Sequence, residues 1–269
     1  PKEYKNSLDN YFTDLKLNKN NFFTDVSNYL SYETGQPTHC YDANKIDGKI
    51  VFDEIEGDED FETLLGTKIN LTGKNAVFLL NDKVINLAGI IGGNSSACSS
   101  DTKTVIVECA FFKSDAITGK SVKYDINSDA SHKFERGVDP NYQEKALRRF
   151  IKIVGDHANI KKVEFISCQY KDIPTYKIPV DVSKINQIIG FKISEEEYIR
   201  ILSKLSFTIE KGYVQIPSFR SDIRTQNDLS EEIARSIGYD NIEKSEVKIP
   251  KSKIQNLNQI ENKLRHFLL

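Results

Sequence analysis

Apolar residues in the first 170 positions form short runs that predict strands and helices separated by loops. The β-branched runs Lys49–Phe52 and Thr104–Val107 are typical of strands. Ala76–Leu80 and Val84–Leu87 flank a polar tripeptide, which predicts a β-hairpin. Apolar residues recur at helical spacing from Tyr142 to Val154, so we expect a helix to close this part of the chain.

The pattern changes near Asp172–Pro174, and this change predicts a domain boundary. Beyond it, Val182–Ile189 predicts a short helix that ends at Gly190. The run Ser194–Glu197 has the pattern of a capping box, in which the serine and the last glutamate each bind the other's free amide. We therefore expect a helix that begins there and continues through Leu205.

The remaining pattern adds one strand and two helices. Tyr213–Ile216 predicts a strand, and Asp228–Ile237 predicts a helix that ends at Gly238. Apolar residues from Ile254 to Phe267 repeat as in an amphipathic helix, which we expect to open a following, truncated domain. Together these elements predict an α+β (mixed α/β) fold.

Composition narrows the class of protein without indicating a function. Of 269 residues, 39% are hydrophobic and 28% are charged, as in a soluble, folded protein. The net charge of −2 gives no general attraction to nucleic acid, so any such contact depends on a local patch. No apolar run approaches the roughly 20 residues that span a bilayer, and no signal-peptide pattern is present. The scattered cysteines indicate reduced thiols of a cytoplasmic protein, and the absence of methionine indicates an excised internal fragment.

The segment Ser128–Pro140 is the densest polar stretch of the chain. It contains hydroxyls, a histidine, alternating charges and a glycine within thirteen positions. Too few of its residues can face a core at one period, which argues against both an amphipathic helix and a buried strand. We therefore interpret it as a candidate site.

Three other features could carry chemistry, and each has a structural alternative. Glu108 ends an apolar run and is either a paired structural carboxylate or a pocket group, with the pocket slightly favoured. The glycines at 89, 92 and 93 fit a tight turn or a pocket-lining loop equally well. His39 lies beside a Gly-Gln-Pro turn, and a lone loop histidine is more often structural than functional.

An acidic cluster in the second half could bind a hard cation such as Mg²⁺. Asp228, Glu231 and Glu232 share one helix edge at spacings i, i+3 and i+4, and Asp222 precedes them. The residues alone favour a helix cap instead, with Asp228 as N-cap and Glu231 three positions later.

Together, five ordered blocks resemble one family, the β subunit of bacterial phenylalanyl-tRNA synthetase. The blocks are Gly35–Asp42, Ala88–Gly93, Glu108–Phe112, Ser128–Pro140, and Pro217–Asp222 with Asp228–Asp240. This resemblance implies a B3/B4-type editing domain at 23–171 and a small, winged-helix-like B5 domain at 172–246. Residues 1–22 would be the end of a preceding domain or a linker, and residues 247–269 would start a truncated one.

The resemblance also implies site residues and an activity, the hydrolysis of mischarged Tyr-tRNA(Phe). Glu108 would accept the tyrosine hydroxyl, with His39 and Asn28 near the ester, and no covalent nucleophile is expected. The other implied substrate-binding residues are Ser27, Ala88, Gly89, Gly92, Ser128 and Ala130. The implied Mg²⁺ ligands, shared with the α subunit, are Asp222, Asp228, Glu231 and Glu232, and this implication reverses the preference for a helix cap.

The expected partners are the α subunit, in an α2β2 heterotetramer, and tRNA(Phe), with no membrane contact. ATP would be used by the holoenzyme and not bound by this fragment, because the family places amino-acid activation in the α subunit. Two rival functions remain: a nucleic-acid-binding module with an inactive pocket, and a structural subunit that holds the α subunit.

Overall fold

The computed structural model describes residues 3–169, 173–243 and 257–268. Its α-helices are α1 Asn6–Asp14, α2 Phe22–Thr34, α3 Ser114–Ile117, α4 Lys120–Tyr124, α5 Asp129–Arg136, α6 Gln143–His157, α7 Val182–Ile189, α8 Glu195–Lys204, α9 Gln226–Ile237 and α10 Leu257–Leu268. Its strands are β1 His39–Asp42, β2 Ile50–Glu56, β3 Glu59–Glu62, β4 Lys68–Leu71, β5 Lys74–Leu80, β6 Lys83–Leu87, β7 Ile91–Gly92, β8 Val105–Glu108, β9 Tyr176–Pro179, β10 Thr208–Glu210 and β11 Tyr213–Ile216.

The elements predicted from hydrophobic spacing are present, and the α+β class is confirmed. The predicted hairpin is β5 and β6, whose connecting residues Asn81 and Asp82 both have positive φ, 49° and 61°. Such a turn matches the twist of the two strands that it joins. Helix α7 has the predicted bounds. The first predicted residue of the last helix, Ile254, lies outside the described residues, as do the boundaries predicted at 171/172 and 246/247.

The polar segment Ser128–Pro140 contains helix α5, so the argument against a helix there is wrong. The helix has eight residues, and only two of them, Ser131 and Phe134, are buried. The Ser128 hydroxyl accepts the amide of Ser131 at 3.0 Å and caps the first turn. Because α5 has only about two turns and a good N-cap, it buries few apolar residues. The hydrophobic pattern therefore did not predict it.

Both predicted helix caps in the second half need correction. At α8, Ser194 accepts the amide of Glu197, but the Glu197 carboxylate pairs with Arg200 instead of completing the box. At α9 the N-cap is Thr225, and Asp228 is the third residue of the helix instead of its cap. The reciprocal capping box is therefore present at α9, where it was not predicted.

The chain divides into two compact units, residues 1–178 with 213–224 and residues 179–212 with 225–269. In the first unit an antiparallel sheet has the strand order β2-β5-β6-β7, and β1 pairs with β8 in a separate ribbon. Strands β3 and β4 form a second ribbon, and β9 and β11 are neighbours in another sheet. Strands β1 and β8 are therefore partners in one ribbon, and β6 lies inside the four-stranded sheet.

Two hydrophobic cores support the first unit. One packs Val77 and Leu87 of the sheet against Phe112 and Phe134. The other is formed by α1, α2 and α6, and its buried residues include Leu8, Phe12, Val26, Leu30, Ala146 and Phe150. Helix α1 therefore packs in the same core as α2 and α6, although it precedes residue 23.

In the second unit α9 packs against both α7 and α8. The buried residues of these helices include Ile185, Leu202, Leu229 and Ile233. Throughout the described ranges, no helix is long and apolar enough to cross a membrane.

Candidate functional site

The ribbon of β1 and β8 brings together two residues singled out in the sequence. His39 and Glu108 are direct partners in the antiparallel register. Because side chains alternate along a strand, Tyr41 lies on the same face as His39, whereas Cys40 faces the core of α1, α2 and α6. One face of the ribbon therefore presents His39, Tyr41 and Glu108 together.

A row of residues on the four-stranded sheet meets this face. Phe78 is the register partner of Asn86, and Asn86 is the partner of Gly92. The Nδ2 atom of Asn86 donates to Tyr41 Oη at 2.8 Å. Asn86, a buried amide between the apolar residues Ile85 and Leu87, therefore joins the sheet to the ribbon by a hydrogen bond.

The Glu108 carboxyl is surrounded by neutral donors. Tyr41 Oη and Asn86 Nδ2 each donate to Glu108 Oε2 at 3.4 Å, which is long for a hydrogen bond. Burial raises the pKa of Glu108 to about 7, and the hydrogen bond from Tyr41 offsets only part of that rise. The group therefore exchanges between its charged and neutral forms near neutral pH, a property typical of functional carboxyls.

The His39 imidazole is confined by Tyr41 and Gly92. The two rings of His39 and Tyr41 meet edge to face, with centroids 4.5 Å apart. A Cβ atom at Gly92 would lie 2.1 Å from His39 Cε1, so the ring fits only because residue 92 is glycine. Burial lowers the pKa of His39 to about 4, which keeps the ring neutral at neutral pH. Its Nε2 atom is buried and has no hydrogen-bond partner among the described residues.

The loop between β6 and β7 is bound to the start of α5. Ala88 is buried in the core, and Gly89 has a φ of +69° with no room for a Cβ beside α3. The Ser128 hydroxyl donates to the carbonyl of Ile90 at 2.6 Å, and Ala130 packs against the same core as Ala88. The structure thus brings the glycine loop and Ser128 into contact, while their role in binding a substrate stays a prediction.

Helix α2 carries the two remaining predicted site residues, Ser27, expected to line the site, and Asn28, expected near the ester. Ser27 is buried and its hydroxyl donates to the carbonyl of Thr38 at 2.7 Å, immediately before β1. Asn28 is exposed to solvent. Ser27 therefore fixes the backbone at Thr38, immediately before His39. The predicted contacts of Ser27 and Asn28 with a substrate stay predictions.

Aromatic rings adjoin the Glu108 network. Phe78 lies 6.4 Å from Tyr41 and 5.2 Å from Phe52, measured between ring centroids. Phe112 lies 6.3 Å from Phe78 and 5.0 Å from Phe134. Phe112 and Phe134 are buried in the core, whereas Phe52 is exposed and Phe78 partly buried. The exposed part of this aromatic group, beside a carboxyl, has the chemistry needed to bind an aromatic ring that carries a hydroxyl.

Two of the three predicted Mg²⁺ ligands on α9, Asp228 and Glu232, bind groups of the helix or its N-cap. The Asp228 carboxylate accepts the amide of Thr225 at 2.8 Å and completes the capping box. Glu232 is buried, with 5% of its surface exposed, and pairs with Arg235. Glu231 is exposed.

Asp222 pairs with the Arg220 guanidinium, with contacts of 2.9 and 2.6 Å. Within residues 3–169, 173–243 and 257–268, no group of three or more His, Cys, Asp or Glu side chains is arranged to hold a metal ion.

Comparison with known proteins assigns the first part of the chain. A family model described as the B3/4 domain matches residues 2–159, more than half of the chain. The chain belongs to the B3/4 family. A second model, described as the tRNA synthetase B5 domain, matches residues 178–239, so a B5 domain follows the B3/4 domain. The recognition made from the five sequence blocks is confirmed.

Two relatives, both named phenylalanine–tRNA ligase beta subunit, are similar along most of the chain. The protein of Vibrio parahaemolyticus is 36% identical over 228 residues, and that of Dickeya dadantii is 37% identical over 227. Each alignment covers 81% of this chain but only 28% of the relative. An N-terminal fragment of the phenylalanyl-tRNA synthetase β-subunit from Pyrococcus horikoshii matches with 16% identity and a TM-score of 0.39, over 81% of this chain and 65% of that chain.

Sequence reasoning missed two members of the B3/4 site, Tyr41 and Asn86. Both had a signal in the chain. Tyr41 is two residues from His39 and so on the same strand face, and Asn86 interrupts the apolar run Val84–Leu87. Asn86 is thus a polar residue inside a predicted strand, a pattern that could have singled it out.

Proposed function

We propose that this chain is part of the β subunit of a phenylalanine–tRNA ligase and that its ribbon site hydrolyses mischarged Tyr-tRNA(Phe). The observation that carries the proposal is Glu108, a half-buried carboxyl beside an aromatic surface and directly across the ribbon from His39. A tyrosine hydroxyl would donate to this carboxyl. A phenylalanine ring would leave it desolvated and without that partner, which disfavours the correctly charged substrate.

Hydrolysis would use a positioned water with no covalent intermediate. The cysteines that adjoin His39 and Glu108 in the chain are Cys40, which is buried, and Cys109, which is partly buried. Loss of solvent raises the pKa of both thiols, that of Cys109 to about 12. They therefore remain thiols at neutral pH and are poor nucleophiles. His39, a neutral imidazole, and Asn28 would orient the ester end of the substrate, and the general base is not assigned.

The same proposal includes the partners expected from the sequence. These are an α subunit in an α2β2 heterotetramer, which would use ATP for activation, and tRNA(Phe), all in the cytoplasm. The names of the two relatives support them, as does the B5 match. The Mg²⁺ ion that the resemblance implies, shared with the α subunit, also belongs to this proposal.

The test compares hydrolysis of Tyr-tRNA(Phe) and Phe-tRNA(Phe) by the assembled heteromer. Glu108→Ala should reduce the Tyr-over-Phe rate ratio by about 10²-fold or more, because the site no longer distinguishes the hydroxyl. Glu54→Ala, at an exposed glutamate of β2, is the matched control and should leave the ratio unchanged. Equal hydrolysis of the two substrates by the unmutated protein would refute the proposal.

A further inference from the structure

The hydrogen bonds at Glu108 have a direction that distinguishes its two oxygens. The Nδ2 atom of Asn86 can only donate, and it donates to Tyr41 Oη and to Glu108 Oε2. Tyr41 Oη accepts from Asn86, so its own single proton is free to point at Glu108 Oε2. Both donors therefore converge on one oxygen of the carboxyl.

We propose that Tyr41 and Asn86 are positioning residues that occupy Oε2 of Glu108 and thereby present Oε1 to the hydroxyl of a bound tyrosyl group. This inference rests on the proposed editing function and names the residues that set its specificity. Without the two donors the carboxyl could rotate, and either oxygen could turn away from the substrate.

The two residues are held rigidly enough for this task. Tyr41 and Asn86 are 1% and 3% exposed, respectively. The Tyr41 ring also packs edge to face on His39, so one side chain positions both the carboxyl and the imidazole. The two 3.4 Å contacts are long, as hydrogen bonds in unliganded sites often are, and we expect them to shorten when a ligand fixes Oε1.

The other titratable groups around Glu108 stay uncharged near neutral pH. Burial raises the pKa of Tyr41 and of the Cys40 and Cys109 thiols, and it lowers that of His39. The hydrogen bond from Tyr41 favours the charged carboxylate. Its removal should therefore raise the pH at which Glu108 ionises.

The experiment uses the full-length β subunit assembled with its α subunit. For Tyr41→Phe and Asn86→Ala, the ratio of Tyr-tRNA(Phe) to Phe-tRNA(Phe) hydrolysis is measured across pH. Each variant should lose about ten-fold in this ratio, as expected for one hydrogen bond to a charged group, with little change in Phe-tRNA hydrolysis. The pH midpoint of the ratio should rise in Tyr41→Phe. Tyr29→Phe is the matched control, because Tyr29 is another buried tyrosine that donates to a glutamate, Glu33.

The outcomes separate this inference from the proposed function. If the unmutated protein shows no preference for Tyr-tRNA, the proposed function fails and this inference fails with it. If the preference is present and Tyr41→Phe keeps both the ratio and the midpoint, only the positioning role is refuted. If the Asn86→Ala protein does not assemble, the result for Tyr41→Phe tests the positioning role by itself. This substitution removes a single oxygen atom and keeps the packing of the ring. The positioning role would also be refuted if Tyr41→Phe lowered the Tyr-over-Phe ratio no more than Tyr29→Phe does.

Discussion

Glu108 on β8 is a half-buried carboxyl group and Glu232 on α9 a buried one, and their surroundings give them different chemistry. Glu108 receives hydrogen bonds from the neutral donors Tyr41 and Asn86, and its pKa is raised to about 7. Glu232 pairs with the cation Arg235. A buried carboxylate that has its own counter-charge serves the fold, whereas one held by neutral donors keeps the capacity to respond to a ligand.

The largest effect is expected from Gly92→Ala, which acts on the Glu108 side of the comparison. The new Cβ would lie 2.1 Å from His39 Cε1 and must displace the ring. We expect hydrolysis of Tyr-tRNA to fall by about 10²-fold and the free energy of unfolding to fall by about 1–3 kcal/mol. Gly155→Ala is the control, since Gly155 lies in α6 and its Cβ would meet only Ile160 at 3.7 Å. Unimpaired hydrolysis by Gly92→Ala would show that the His39 position is not needed.

Glu232→Ala tests the carboxylate that pairs with a cation and is assigned to the fold. Removal of this carboxylate leaves Arg235 without its partner, and we expect the free energy of unfolding to fall by about 1–2 kcal/mol. The Tyr-over-Phe ratio should not change. Thermal unfolding and deacylation of the assembled protein measure the two quantities. A changed ratio with unchanged stability would contradict the assignment of Glu232 to the fold.

Thr225→Ala should give a smaller loss of stability. It removes the side chain that caps α9 and accepts the amide of Asp228, a change that costs about 1 kcal/mol. Ser194→Ala is the matched control at α8, where only the serine half of the box is present. We expect the loss to be larger at Thr225, because Asp228 also loses its hydrogen bond from the Thr225 hydroxyl. Equal losses of stability in Thr225→Ala and Ser194→Ala would indicate that the hydrogen bond between the Thr225 hydroxyl and Asp228 contributes little.

Secondary structure was predictable from the sequence where a short segment contains both the apolar period of an element and the residue that ends it. Val182–Ile189 carries a helical apolar period, and Gly190 follows with the left-handed backbone that ends a helix. Helix α5 could not be found this way, because two buried residues in eight give no period. The start of α9 was misplaced because a Thr–Asp pair three apart is a weaker signal than the acidic run that follows it.

Some residues of the site were predictable one by one, but Tyr41, Asn86 and the network that joins them to Glu108 were not. His39 and Glu108 were named from the sequence blocks, but their pairing depends on the register of β1 with β8, which no local pattern contains. The contact of Asn86 with Tyr41 depends on the packing of the sheet against that ribbon. Long-range register and packing are therefore what the structure added.

The central claim is that the Glu108 carboxylate recognises the tyrosine hydroxyl. Its most direct test is the Tyr-over-Phe hydrolysis ratio between pH 6 and 8, corrected for spontaneous ester hydrolysis, for the unmutated heteromer and for Glu108→Gln. Because the pKa of Glu108 is about 7, the charged form predominates above that pH. This form binds the hydroxyl more strongly and tolerates phenylalanine less. We predict a ratio that rises with pH through about 7 in the unmutated protein and is lower and independent of pH in Glu108→Gln. Parallel pH profiles for the two proteins would contradict the account.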